Sequence, residues 1–139
     1  MIREHCRSQW GDFDHLSFIR DNALDPPIQL LHYQTRDRRI PFQDWMDGIT
    51  DPAAFAAIQT RLDRLERGLF GDCKSVGDGV LELRMDVGQG YRAYLARSGP
   101  IAVLLLCGGD KSTQKADIKR AKTYWKDHEK RTRAAGNTG

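Results

Sequence analysis

The chain lacks most of what would tie it to a membrane, a metal or a covalent scaffold. Its longest uninterrupted apolar run, Ile101 to Cys107, has seven residues, against the roughly 20 that a membrane-spanning helix requires. Cys6, Cys73 and Cys107 form no C-x-x-C pair, which leaves no zinc knuckle and no disulfide framework and fits a reducing compartment. His5, His15, His32 and His128 are far apart and never spaced as metal ligands. No serine sits in G-x-S-x-G, and no cysteine has a histidine partner in sequence. Charges run through the first fifteen residues with no apolar segment among them, so no secretory signal is expected. With 139 residues, 40% apolar and 29% charged, the composition is that of one small cytoplasmic domain, with no cofactor and no membrane partner.

Charge is present but unevenly spread. The net charge is +3, yet from Lys111 onward nine Lys/Arg face three acids. The rest of the chain is therefore acidic on balance. Such asymmetry points to a polyanionic partner, nucleic acid or an acidic protein, unless it is simply a solvated basic helix with a frayed tail.

Periodicity divides the chain into three parts. Residues 1–27 form an extension of uncertain structure, in which Trp10, Phe13, Leu16 and Ile19 suggest one amphipathic helix ended before Asp25-Pro26-Pro27. Residues 28–128 form the domain, and residues 129–139 a basic, disordered tail. Within the domain, Ile28 to Thr35 reads as a strand. Phe42, Trp45, Met46 and Ile49 then form one helical stripe behind Pro41. Asp51 as N-cap, Pro52, and the stripe Phe55, Ile58, Leu62 and Leu65 define a second helix that Gly68 ends, with Arg61 toward its outer side.

Beyond Gly71 the period falls to 2, predicting strands near Cys73–Val76, Val80–Val87, Tyr91–Arg97 and Ile101–Cys107, the last apolar on both faces and hence interior. A turn at Gly108-Gly109-Asp110 leads to a final helix capped by Ser112 or Thr113 and carrying Ile118, Ala121 and Trp125 on one side. Strand, two helices, four strands, helix is an α+β order built on antiparallel hairpins.

Two stretches invite chemistry. "LCGGDKST" runs from a strand into a helix mouth, where free N–H groups attract anions, but it lacks the first glycine of a P-loop and reads better as a glycine turn with a cap. "ELRMDVGQGYRAY" is the other: two arginines on the polar arms of a hairpin. Arginine does not shuttle protons near neutral pH, but it grips phosphate bidentately and stabilises charge building on it. Arg84, Arg92 and Lys111 converge if the polar face looks toward the last helix, with Tyr91 and Tyr94 as stacking faces for an unpaired base. The competing reading is a salt-bridged solvent face, Glu82–Arg84–Asp86–Arg92, whose acids hold the arginines in place.

The segment "PFQDWMDGITDPAAFAAIQTRLDRLERGLFGDCKSVGDGVLELRMDVGQGYRAYLA", with "LLLCGGDKSTQKADIKRAKTYW", resembles the addiction-module killer proteins, a HigB-like branch of the RelE/ParE toxin superfamily. The motifs that carry the likeness are R-L-D-R-L-E-R-G with F-G-D, G-V-L-E-L-R, G-Y-R-A-Y and G-G-D-K-S-T-Q-K-A-D-I, between about Ile28 and Trp125. The resemblance implies two N-terminal helices packed on a twisted, mainly antiparallel sheet of about five strands, plus a C-terminal helix. It implies the toxin of a type II toxin–antitoxin pair that cleaves mRNA on the ribosome, blocked by a cognate antitoxin, a small helix-turn-helix protein. Arg84, Arg92 and Lys111 fall at the catalytic positions, and Lys74, Tyr91, Tyr94, Gln114, Lys115 and Lys119 along the RNA path. The chain departs from the pattern in having no histidine in the presumed site, no tyrosine opening the last helix, and 27 leading residues that relatives lack. ParE-like members share the fold and inhibit DNA gyrase, so a gyrase inhibitor or an inactive antitoxin-binding remnant remains an alternative.

Overall fold

A computed structural model describes residues 27–138; the helix expected around Trp10 to Ile19 lies outside them. The described residues form an α+β fold with a five-stranded mixed sheet and a C-terminal helix. The elements are β1 (Gln29–His32), α1 (Pro41–Asp47), α2 (Pro52–Glu66), β2 (Cys73–Gly77), β3 (Val80–Met85), β4 (Tyr91–Gly99), β5 (Ala102–Gly109) and α3 (Gln114–Thr138). A single 3-10 turn, Lys111–Thr113, leads into α3. This is the order read from periodicity, with a 3-10 turn added; the two shorter helices follow a strand, where the family resemblance implied that helices lead.

Strand order is β1-β5-β4-β3-β2. The β2–β3, β3–β4 and β4–β5 pairings are antiparallel, and β1 joins β5 in parallel. β5, buried along nearly its whole length, is flanked on both sides. It carries apolar side chains on both faces because each face is covered.

Local chemistry bounds the helices as expected. Asp51 accepts a hydrogen bond from the Ala53 N–H, and Pro52 opens α2. Gly68, at φ +82, ends α2, and the Leu69 N–H returns to the Arg64 carbonyl. The buried stripe of α2 is Ala54, Ile58 and Leu65; Phe55 stays about one-third exposed. Arg61 does not face outward either. Its guanidinium donates to the carbonyls of Arg84 (2.6 Å), Phe70 (2.8 Å) and Asp72 (3.2 Å), stitching α2 to the loop before β2 and to the end of β3.

The sheet separates two apolar layers. Phe42, Met46, Ile58 and Leu65 pack with Leu81, Leu83, Ala93, Leu95 and Leu105 on the α1/α2 side. Val80, Tyr94, Ala96, Leu104, Leu106 and Ala121 pack on the α3 side, with Ile118, Tyr124 and Trp125. Cys73 is disulfide-bonded, which corrects the expectation of a chain without disulfides; three cysteines allow one such pair. Cys107 is a free thiol whose burial pushes its pKa up to about 12. No helix among the described residues is long and apolar enough to cross a membrane.

The basic stretch from residue 129, expected to be a disordered tail, continues α3 to Thr138. Its anchor is a polar cluster against Tyr33 and Gln34, just after β1. Tyr33 stacks on Tyr124 at 4.7 Å between centroids and donates its hydroxyl to Asp127 (2.7 Å). Arg131 pairs with Asp127, lies over the Tyr33 ring and donates to the Gln34 carbonyl (2.7 Å). Composition alone misses this anchor, because Tyr33 and Asp127 are 94 residues apart.

The Tyr33 hydroxyl above all, with Arg36 and Arg131, holds the Asp127 carboxyl down from 3.8 to about 2. A lowered folded-state pKa means that this link stabilises fully above about pH 4 and is lost as pH falls through 3.8 toward 2. Thermal melts over that window should show the parent losing stability more steeply than Tyr33→Phe, which lacks the hydrogen bond. Equal slopes would show that the link contributes nothing.

Candidate functional site

Strand register brings the site together. On the α3 face, one row across the sheet runs Lys74, Glu82, Tyr94, Cys107, each residue paired with the next. The adjacent row runs Arg84, Arg92, Gly109. The two arginines are therefore direct cross-strand partners on one face. Like charges placed opposite each other are destabilising, so each needs an acid or an anion nearby. Arg84, about one-third exposed, reaches Asp72 Oδ1 at 3.4 Å. Arg92, with its side chain only 10% exposed, donates from Nη1 to the Gly90 carbonyl (3.0 Å) and places Nε 3.5 Å from Glu82 Oε2.

Lys111 completes the group. A Cβ built on Gly90 would lie 3.2 Å from Lys111 Cγ and 3.6 Å from Arg92 Nη1, so the stem of Lys111 and the guanidinium meet over this one residue. Gly90 also sits at φ +76, where other residues are strained. The counter-charge on the other side is Asp110. It accepts from the Ser112 hydroxyl and N–H, which hold its carboxyl below the usual range, and the positive charge of Arg92 adds to the effect.

Asp110, not Ser112 or Thr113, is therefore the cap, and its carboxylate already occupies an N–H group at the turn. The glycines before it belong to β5 and are there for space. A Cβ on Gly108 would lie 2.2 Å from the Trp45 ring, and one on Gly109 1.8 Å from Asp117 Oδ2. This stretch is a close-packed strand end with a capped turn.

Not every expected residue reaches the site. Tyr91 and Arg92 are consecutive on a strand, so they point to opposite faces; Tyr91 packs beside Trp45 on the α1 side. Tyr94 shares the arginine face but is completely buried and donates to Glu82 Oε2 (2.9 Å). Burial first, then the Glu82 charge, raises its pKa far above the usual 10, so it remains a fixed donor and offers no stacking face. Gln114, opening α3, donates to the same Glu82 oxygen (2.9 Å) and so binds protein. Lys74 is half-exposed on the edge strand beside Glu82. Lys115 and Lys119 are exposed along α3. Of the salt-bridged face that was the alternative, the Glu82–Arg92 pair is present, but it is buried and does not face solvent, while Asp86 is exposed.

The residue that sequence reasoning undervalued is Glu82. The available signal was parity: it shares a face with Tyr94 and lies in the row beneath the start of α3.

No family model and no solved structure matches this chain. An uncharacterized protein of Haemophilus influenzae is 53% identical over 83 residues, which cover 60% of this chain and 84% of that protein. The chain belongs to that protein's family. At this identity the two share one fold over the matched residues.

Gly109 tests how the site depends on packing. Gly109→Ala drives a methyl into Asp117 and Thr113, and overpacking of this kind costs about 1–3 kcal/mol. The variant should melt several degrees lower, with α3 lifted at its first turn. A parent-like melting temperature would mean that the helix start is free to move.

Proposed function

We propose that this protein is the toxin of a type II toxin–antitoxin system, of the HigB-like branch of the RelE/ParE superfamily, and that it cleaves mRNA on the ribosome. The observation that carries the reading is the cationic row: Arg84 directly opposite Arg92, with Lys111 seated against Gly90 beside them. Asp72 and Glu82 each offset one of the two charges, and phosphate matches the planar fork that arginine presents. The motifs shared with the killer proteins and the five-stranded sheet between helical layers support the same reading.

In the proposed reaction the ribose 2′-oxygen attacks the adjacent phosphorus in line. The bond to the 5′-oxygen breaks, leaving a 2′,3′-cyclic phosphate and a free 5′-hydroxyl. The 2′-hydroxyl gives up its proton and the leaving oxygen takes one, with water as carrier. Arg84, Arg92 and Lys111 stabilise the added negative charge on the phosphorane. The ribosome holds the mRNA in place, which supplies the orientation that the toxin's few side chains do not. Lys74, Lys115 and Lys119 meet flanking phosphates. A small helix-turn-helix antitoxin is the partner that silences the site.

Induced alone, the protein should arrest growth and leave translated messages broken inside codons. Intact messages with altered DNA supercoiling would favour a gyrase inhibitor instead. Arg92→Ala and Arg84→Ala should each slow single-turnover cleavage by about two to three orders of magnitude, with Arg92→Lys close to Arg92→Ala because the fork is lost. Lys115→Ala and Lys119→Ala should weaken ribosome or RNA association and flatten its salt dependence, leaving cleavage at saturation unchanged. Arginine variants that cleave like the parent would remove these side chains from the site.

A further inference from the structure

We infer that Glu82 is the positioning residue for Arg92, setting the direction in which its guanidinium faces; this rests on the phosphate-clamp reading above. Glu82 has no exposed surface, and the described contacts of its carboxylate fall on a single oxygen. Oε2 accepts from the Tyr94 hydroxyl and from Gln114 Nε2, each at 2.9 Å, and faces Arg92 Nε at 3.5 Å. Oε1 is buried without a hydrogen-bond partner, and so is Arg92 Nε.

This arrangement is poor for stability. A buried carboxylate costs several kcal/mol to desolvate, and a half-satisfied polar network is worse than an apolar one. On the same face Val80 and Ala96 fill their places with hydrocarbon. What the carboxylate supplies instead is a fixed negative charge behind Arg92. Two neutral donors from different elements, Tyr94 on β4 and Gln114 on α3, hold it still. Arg92 is then drawn back along its Nε edge, while the Gly90 carbonyl takes one proton of Nη1.

Among the described residues Nη2 has no hydrogen-bond partner, so the Nη1/Nη2 end is the part of the fork left for a phosphate. The 3.5 Å gap at Nε is longer than a hydrogen bond, and a movement of about half an ångström closes it. Glu82 therefore acts through Arg92 and does not itself touch RNA.

The test compares the parent with Glu82→Gln, which keeps the shape and removes the charge. Two quantities are read: the side-chain Nε–Hε resonance of Arg92 in arginine-labelled protein, and single-turnover cleavage of mRNA on ribosomes. Glu82→Gln should move the Arg92 resonance and leave that of Arg84 in place. It should lower the cleavage rate at saturation by about a hundredfold, the scale of a misplaced reacting group, with half-saturation unchanged.

If Glu82→Gln does not fold, Tyr94→Phe serves instead, with smaller changes in the same directions. An unmoved Arg92 resonance overturns the inference even if cleavage falls, since Glu82 would then act by another route. A moved resonance with parent-like cleavage overturns it as well. Should the parent itself not cleave, the nuclease reading falls, and the coupling of Glu82 to Arg92 stands or falls on the resonance alone.

Discussion

The register between β3 and β4 is the constraint on which everything else depends. It sets Arg84 opposite Arg92, puts Glu82 opposite Tyr94 one row away, and delivers all four to the face that α3 covers. A slip of one residue would send the arginines into the α1/α2 layer and bring Leu83 and Ala93 out beneath α3. The register is therefore held firmly: by apolar partners on the other face, by Arg61 on the Arg84 carbonyl, and by the reversal at Gly88 and Gly90. The opposed cations therefore stand on a hairpin whose register is fixed from its other face, and their mutual repulsion acts against that packing.

Local patterns carried much of this into the sequence. The Asp51-Pro52 start and Gly68 end of α2 depend on neighbours a few positions away, so they could be read directly. The alternation through Val80–Met85 and Tyr91–Arg97 gave the hairpin for the same reason. Alternation also held an answer that composition obscured: Tyr91 and Arg92, being consecutive, never share a face. What could not be read depends on distant partners. Gly108 and Gly109 look like a turn until Trp45 and Asp117 are placed against them. The burial of Glu82 needs Gln114 from an element 32 positions later, and the helical tail needs Tyr33. The position of Arg61 on α2 suggested solvent, because its three carbonyl partners lie in a loop and a strand that had not yet been placed.

The α3 helix links the two ends of the molecule's chemistry. Its first residue fixes Glu82, its middle buries Ala121 against the sheet, and its later turns grip Tyr33 and Gln34, just after β1, through Asp127 and Arg131. A helix with so many exposed cations stays docked because each of these points is specific, and so its exposed lysines are held in one place relative to the cationic row.

The parallel edge has a consequence for how the chain comes to be folded. β1 opens the described domain, yet its partner is β5, with Gln29 against Ala102 and His32 against Leu105. Every other strand pairing joins neighbours in sequence and can form early by closing a short loop. The β1 pairing must wait until both helices and the whole antiparallel meander exist, and contacts so distant in sequence slow folding. During synthesis the cationic row on β3 and β4 can therefore assemble before its sheet has an edge, and before α3, the element whose Gln114 holds Glu82, has formed. A chain lacking α3 would have the arginines in register but no Gln114 on the carboxylate behind them, so the arrangement is complete only once the first turn of α3 has formed.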